Sequence, residues 1–482
     1  MNLITYQKVI VEPYEFKHIQ HLKITKAPNE HSKLYLTGIL PDEINESYIN
    51  SQLEPTTIKV KAWLPVQDPD TGKTVQQLKP IFSGIVQDMK LMVQAGIHYL
   101  EIEAISHSKK LDIEWIRRSY QKLGMPYKTL MQKAVEKYTG ATVMYKIKED
   151  KKMEQFTLQY DETAWEFLKR MASRLKAPLV VEDVLDEPKI YAGIPEKSEV
   201  GSLNDFMYHS AKKIDWYRDT TKNYKNDLFE GSSMHHEIVT EKVFEIGDKV
   251  SFKDIPLYVH EVCIEMSEGI FRNIYKLTDL GGFHQNIIKN EKIIGLSLEG
   301  KVLATSTDEL KLLLDIDKPH PPDDYCWFKY STFYTSDNGG GHYWMPELGE
   351  KARLYLPDWD DENAVSTNCV REEFAVGGER GNPDIKYWRS LKGKEFMFLP
   401  DGIKIRCKDG EIFINMMVEN GILIQSSKGI YFTATNGSEI GLYAEGELVM
   451  AGEKEFDAFC NGSRVNMKDG ITKIRGDSIQ DN

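Results

Sequence analysis

From Gly402 the chain reads GIKIRCKDGEIFINMMVENGILIQSSKGIYFTATNGSEIGLYAEGELVMAG. Its glycines at 402, 410, 421, 429 and 437 recur at roughly eight to eleven residues. That spacing is close to the short period of β-helical repeats. Between the glycines stand alternating apolar pairs: Ile403 and Ile405, Ile412 and Ile414, Ile422 and Ile424, Ile430 and Phe432, Ile440 and Leu442. Period-two alternation puts each pair on one face of a very short strand. No helix signal interrupts them. Such a ribbon cannot bury its apolar face alone, because repeats of this kind need neighbours. It can coil on itself as a single-chain β-helix, or three copies can wrap round one axis. The rungs are few for a self-sufficient solenoid, so the trimer is favoured. Cyclic symmetry would then bring the same face of each chain to the axis, with these ten residues as the expected core. An antiparallel meander packed on the preceding domain is the alternative.

Upstream the texture is also mainly β, with one exception. HLKITKA, KLYLTGIL, TTIKVKAWL, IFSGIVQDMKLMV and HYLEIEAIS are β-rich runs separated by turns such as DPDTGK, Asp68 to Lys73. They predict a small β-barrel or sandwich over residues 1–125, assigned as a barrel. A small α/β unit follows over 126–200. One helix carries Leu130, Ala134, Val135 and Tyr138. A second, expected to be capped by Asp161, places Trp165, Leu168, Met171, Ala172 and Leu175 on one face. Strand patterns return in VFEIGDKVSFKDIPLYVHEVCIEMSEGIFRNIYKLTDL and predict a second barrel over 201–290. A further set of strands occupies 291–375, and the glycine-spaced ribbon lies within 376–482. At roughly 150 residues per domain, 482 residues allow about three domains or more.

The most enzyme-like motif is the glycine run in YSTFYTSDNGGGHYWMPELGEKARLYLPD, Tyr330 to Asp358. A phosphate loop needs G-x-x-x-x-G-K-[ST] between a strand and a helix. Here Asn338, Gly339, Gly340 and Gly341 precede HYWMP, and Pro346 blocks an early helix. Asn-Gly between alternating flanks predicts a hairpin turn instead. His235, His236 and Glu237 are adjacent, so alternate side chains point apart, and a surface loop is expected. His260 and His342 are isolated and expected to be structural. DWDDE, Asp358 to Glu362, lacks the later Glu of a calcium loop and reads as a solvated turn. No zinc spacing, G-x-S-x-G or other catalytic constellation is recognised. No enzyme activity, cofactor or metal is expected.

Composition narrows the partners. A formal net charge of −13 and a pI near 5.5 argue against nonspecific nucleic-acid binding, which needs clustered Lys and Arg. The start, MNLITYQKVIVEPYEFKH, does not read as a signal peptide, and no apolar run of membrane-spanning length is present. The five cysteines, Cys263, Cys326, Cys369, Cys407 and Cys460, are widely separated, and reduced, buried thiols are expected.

Taken in order, the segments resemble the hub–spike proteins of contractile injection systems: the VgrG family of type VI secretion, phage late-control D proteins, and the baseplate spikes of R-type bacteriocins. The resemblance rests on NEHSKLYLTGILPDE, IFSGIVQDMKLMVQAGIHYLEIEAIS, FTLQYDETAWEFLKRMASRL, the NGGG stretch and NPDIKYWRSLKGKEFMFLPDGIKI. Each is weak alone, and their order is the specific part. The resemblance implies a homotrimer. Two hub β-barrels and an α/β insertion would form a pseudo-sixfold collar on the tail tube. Residues 291–375 would form an OB-fold barrel, and 376–482 an intertwined triple-stranded β-helical needle. It implies that the spike caps the inner tube and organises the baseplate, and that sheath contraction drives it through the target envelope. It further implies tail tube and baseplate proteins as partners, and assembly in the bacterial cytoplasm as part of a phage tail-like particle. Only REEFAVGGERGNPDIKYWRS separates barrel from needle, too little for the lysozyme domain of some phage members. No histidine follows His342, so an H-x-H metal tip is not expected; either a separate PAAR-like tip protein caps the needle or the RGDSIQDN end is frayed.

Two other classes compete. A β-helical carbohydrate-binding or carbohydrate-cleaving protein would explain the repeats and aromatics such as Tyr325, Trp327, Phe328 and Tyr330, but not the two-barrel half. A nucleic-acid binder would need a basic groove near 291–375. DIDKPHPPDDY and DWDDEN make that region acidic, and no specific nucleic acid is expected.

Overall fold

The structure, a computed structural model, describes residues 8–41, 57–67, 74–195, 199–203, 207–224, 228–267, 269–336, 338, 340–368, 382–390, 392–407 and 410–480. The Asp68–Lys73 turn therefore lies outside the described residues. The chain divides into two compact units, Met1–Arg371 and Glu372–Asn482.

The first unit begins with strands β1 (Val9–Glu12), β2 (His18–Lys26), β3 (Lys33–Ile39), β4 (Thr57–Gln67), β5 (Thr74–Gln94) and β6 (Ile97–Ser106). Alternation decides which residues face inward. Leu22 and Ile24, Leu34 and Leu36, and Leu100 and Ile102 are all buried, at the i and i+2 positions of their strands.

The α/β segment follows with β7 (Ile116–Tyr120), α1 (Tyr127–Val135), β8 (Thr142–Tyr145), β9 (Thr157–Glu162), α2 (Ala164–Arg174), β10 (Leu179–Glu182) and β11 (Lys189–Ala192). β7 pairs antiparallel with β9, so the chain from Ile116 hydrogen-bonds within this segment. Leu130, Met131, Ala134 and Val135 of α1 pack in one core with Trp165, Phe167, Leu168 and Met171 of α2. The expected cap at Asp161 is corrected. Thr163 caps α2, accepting from the Glu166 amide at 3.1 Å while the Glu166 carboxylate accepts from the Thr163 amide at 2.9 Å. This reciprocal pair satisfies two amides that the helix leaves open. Asp161 instead lies within β9, one residue before its end, with φ +49, and accepts from Arg117.

The chain then returns to the first sheet with β12 (Glu199–Ser202), β13 (Tyr208–Lys212), helix α3 (Ile214–Asn223), β14 (Met234–Thr240), β15 (Lys249–Phe252), β16 (Ile255–Ser267) and β17 (Ile270–Thr278). The two β halves are continuous. Antiparallel pairing of β2 with β16 sets Ile24 opposite Ile264 and Leu22 opposite Met266. The result is one twelve-stranded sheet in the order β1-β4-β5-β6-β3-β2-β16-β17-β14-β13, with β12 and β15 attached through β16. Its inward residues form one hydrophobic cluster spanning both halves.

Strands β18 (Ser297–Ser306), β19 (Glu309–Leu314), β20 (Phe328–Lys329), β21 (Lys351–Tyr355) and β22 (Val365–Thr367) form a five-stranded sheet in the order β20-β19-β18-β21-β22. A parallel bridge between Tyr330 and Ser366 joins its two outer strands and curls the sheet shut. Its core of Leu298, Val302, Leu310, Leu312 and Leu354 also takes in Phe156 and Leu158 from the α/β segment.

In the second unit, β23 (Lys386–Arg389), β24 (Glu395–Leu399), β25 (Gly402–Cys407), β26 (Ile412–Met417) and β27 (Gly421–Ser426) form one sheet. β28 (Glu455–Cys460), β29 (Ser463–Lys468) and β30 (Ile471–Arg475) form another. Within one chain these strands pair antiparallel with their sequence neighbours. Gly421, at the turn into β27, has φ +70, where an L side chain would be strained.

Candidate functional site

Three features carry information about function: the glycine hairpin, the buried charges of the first unit, and the apolar face of the second.

At the hairpin, Thr335 and Gly341 form an antiparallel bridge. The Ser336 amide donates to the Gly340 carbonyl at 2.9 Å. The Gly340 amide donates to Asn338 Oδ1 at 3.1 Å. Gly341 has φ +136, and a Cβ there would sit 2.4 Å from the Tyr334 carbonyl oxygen. Gly339 lies outside the described residues. The flanks are less regular than alternation predicts: within Tyr330–Thr335 there are only isolated bridges.

The DWDDE stretch is the main correction. It was expected to be a solvated turn, yet Asp361 is completely buried. Its Oδ2 accepts from Arg170 Nη1 at 3.1 Å and from Arg174 Nη2 at 2.6 Å. Arg170, buried on α2, also donates two bonds to Glu162 at 2.8 and 2.7 Å and one to the Leu158 carbonyl at 2.5 Å. Burial pushes the Glu162 carboxyl up, against the pull of the Arg170 guanidinium. Burial also works against the Arg170 charge, but Glu162 and Asp361 outweigh it and raise its pKa. The four ions tie the α/β segment to the small barrel. A second buried tie joins three distant segments. Lys26 donates to Asp183 at 2.9 Å and to both oxygens of Glu245 at 3.1 and 2.9 Å. Burial disfavours its ammonium, and the two carboxylates more than offset that.

His235 is likewise corrected from surface loop to buried strand residue. It sits on β14 with its ring 5.4 Å from that of His260, which in turn lies 4.8 Å from Phe283. Burial pushes His235 down to about 3, so it is neutral at ordinary pH. The thiols divide: Cys326 is buried and Cys263 half-buried, whereas Cys407 and Cys460 are exposed within one chain. All four are free, and Cys369 lies outside the described residues. Among the described residues, no group of three or more His, Cys, Asp or Glu is arranged to hold a metal.

The expected needle core divides in two. Register places Phe396, Ile405, Ile414 and Ile424 in one cross-strand row, and Phe398, Ile403, Met416 and Ile422 in the next. Ile412 faces Cys407 and Ser426 on the same side. These residues share one face of the sheet because alternate positions share a face. Among the described residues, none of the proposed core residues on this face is fully buried. Ile403, Ile405, Ile412 and Ile414 are half-buried, and Ile422 and Ile424 are exposed. Ile430, Phe432, Ile440 and Leu442 were expected on strands but lie in residues 427–454, which contain none. A strand needs a ladder partner for its amides and carbonyls, and the described residues of a single chain supply none to this stretch. Among the described residues of the second unit only Met397 is buried. The exposed set includes Phe432 at 70%, Tyr443 at 88% and Val449 at 76%.

Sequence reasoning missed Arg170, Asp361, Lys26 and Asp183. The one available signal was an arginine amid the apolar residues of α2, and it does not name a partner.

No protein-family model matches the chain, and no curated protein matches it by sequence. Its backbone does match solved structures. A chain of the half-lidded Francisella PdpA–VgrG complex superposes with a TM-score of 0.55 at 10% identity, covering 87% of this chain and 87% of that one. A chain of the lidless PdpA–VgrG complex gives 0.54 at 10% identity, covering 87% and 98%. The E. coli c3393 protein, a type VI secretion component reported as structurally similar to the T4 bacteriophage tail proteins gp27 and gp5, gives 0.52 at 8% identity, covering 74% and 99%. Twelve-stranded sheet, α/β segment, small barrel and β-ribbon together have the fold of the VgrG-like hub–spike proteins.

Proposed function

We propose that this chain is the hub and spike of a contractile injection system and works as a homotrimer. The observation that carries this reading is the second unit, where among the described residues one buried apolar side chain, Met397, accompanies a continuous apolar sheet face that is half-buried to exposed. Exposed apolar surface on this scale marks an association site. Moving an Ile or Phe from water into a shared core contributes about 1.5–3 kcal/mol, so the ten proposed core residues carry on the order of 15–30 kcal/mol per chain as an upper bound. Three copies related by a threefold axis would bury the same face of each. They would also supply the missing ladder partners to residues 427–454.

In this reading Ile403, Ile405, Ile412, Ile414, Ile422, Ile424, Ile430, Phe432, Ile440 and Leu442 form the needle core. The twelve-stranded sheet forms the collar on the tail tube, and the NGGG turn shapes a barrel loop. Partners are tail tube and baseplate proteins and a separate PAAR-like tip. The needle passes through the target envelope when the sheath contracts. The role is mechanical, without a catalytic step. The fold shared with VgrG-like proteins supports the hub part of the reading, and the uncovered ribbon supports the trimer. Light scattering of the intact soluble protein, with negative-stain electron microscopy, tests it. The expected result is a trimer with a wide collar and a thin needle. A stable monomer would overturn it.

A further inference from the structure

Lys26 ends β2 at the inward position that Leu22 and Ile24 hold earlier on the same strand, opposite Val262 of β16. Asp183 directly follows β10, and Glu245 lies between β14 and β15. The Lys26 ammonium donates to Asp183 Oδ1 at 2.9 Å and to the two oxygens of Glu245 at 3.1 and 2.9 Å. The Lys26 and Asp183 side chains are each 3% exposed. Phe244 and Ile246, on either side of Glu245, belong to the buried hydrophobic cluster of the sheet.

Two features exceed what a structural tie needs. One ammonium faces two carboxylates, so one carboxylate is in excess. Asp183 Oδ2 is buried yet accepts no hydrogen bond among the described residues, a costly state for a carboxylate oxygen. Both features fit a site where one carboxylate is a reactant and the other carries protons.

We propose that Lys26 and Asp183 condense to an intramolecular amide, with Glu245 as the proton carrier. Lys26 first passes a proton along its hydrogen bond to Asp183, leaving an amine against a neutral carboxyl. The Nζ lone pair adds to the Asp183 carboxyl carbon, forming the C–N bond. Glu245 takes a second proton from Nζ and delivers it to the departing hydroxyl. The C–O bond breaks and one water leaves. The nitrogen keeps one hydrogen, two protons depart with one oxygen, and Glu245 ends as it began. No oxidant, reductant or further reactant is needed.

The three groups are held in register. The β2–β16 ladder fixes Lys26, the Ser83 amide donates to the Asp183 carbonyl at 2.6 Å, and the Glu245 amide donates to Asp248 Oδ2 at 2.9 Å. Groups so oriented react at effective concentrations of about 10⁵ M or more, which favours an amide that dilute acid and amine do not form. Condensation also replaces a buried ion pair with a neutral amide and so relieves its desolvation. Burial works against the Lys26 ammonium, but the two carboxylates outweigh it and raise its pKa. The amine form is therefore scarce, and closure is slow compared with folding. Glu245, 34% exposed, gives the released water a way out. The bond joins positions 157 residues apart, and closing so long a loop restricts the unfolded chain. It lies within the first unit, so it stands apart from the hub–spike reading.

Mass spectrometry of the denatured full chain tests it. The expected mass is lower than the sequence mass by one water, and a protease digest should contain a branched peptide joining the Lys26 and Asp183 segments. On a reducing denaturing gel the chain should run ahead of Lys26→Arg, because the closed loop keeps it compact. Glu245→Gln retains the amine and the carboxyl and should slow closure about 100-fold, the usual worth of a positioned proton carrier. The unsubstituted chain gives the primary result, which does not depend on the folding of any variant. A full sequence mass after prolonged storage at neutral pH, a lost water without that branched peptide, or equal closure in Glu245→Gln would each overturn the proposal.

Discussion

The Arg170 cluster makes the sharpest prediction. Replacing Arg170 with Met keeps the apolar stem and removes the guanidinium. Glu162 then loses both of its bonds from Arg170, at 2.8 and 2.7 Å, and remains buried. Asp361 loses one donor but keeps Arg174 at 2.6 Å. The cost therefore falls mainly on one stranded carboxylate. Removing one partner of a buried pair typically costs about 3–5 kcal/mol. Replacing Glu162 with Gln in the same chain removes the stranded charge and leaves lost hydrogen bonds at about 1 kcal/mol each. The double variant should therefore be about 2 kcal/mol more stable than Arg170→Met alone, a coupling of the size seen between contacting residues. A chain of two units is a poor subject for a single global unfolding energy. Native-state hydrogen exchange is the better assay, read at the amides of β9 and of residues 361–364. A loss in opening free energy there below about 1 kcal/mol for Arg170→Met would refute the argument. So would a double variant no more stable than the single one.

Acid sensitivity follows from buried His107 and His235 and half-buried His31. Burial pushes His31 to about 4, His107 to about 4 and His235 to about 3 from an ordinary 6.5. Below pH 6.5 the unfolded chain binds protons that the folded chain refuses, so stability should fall from there toward pH 3. Glu261 is held at about 2, first by His260, whose Nδ1 stands 3.5 Å from its carboxylate, and then by Lys276, and its contribution should be lost between pH 4.5 and 2. Denaturation midpoints that stay flat from pH 7.5 to 5 would contradict the histidine part. In the ribbon, Ile414→Asp places a charge in the middle of the proposed shared core. It should convert a heat- and SDS-resistant trimer to a dissociated form in gel and light-scattering assays, and a trimer of undiminished resistance would remove Ile414 from that core.

What could be read from the sequence is what depends on near neighbours. Alternation marked β2, β3 and β6 and the inward residues of each, because a strand repeats every two residues. The apolar face of α2 was legible for the corresponding helical reason. Glycine spacing marked β25, β26 and β27 and the residues on their common face. The cap of α2 was missed by two residues, since Asp161 and Thr163 are both acceptable caps and only the Glu166 contact distinguishes them.

Tertiary structure decided the rest. The pairing of β2 with β16 merges two β halves that look separate in sequence. DWDDE reads as solvated because charged residues usually are, and Asp361 is buried only because Arg170, 191 residues earlier, lies against it. His235 is buried by strands whose arrangement no local pattern records. For Ile403 to Leu442, sequence determined the apolar rhythm, and the single-chain fold decided that, among the described residues, none of the ten is fully buried. Rhythm is a property of a few consecutive residues, whereas burial belongs to whatever surface is brought against them.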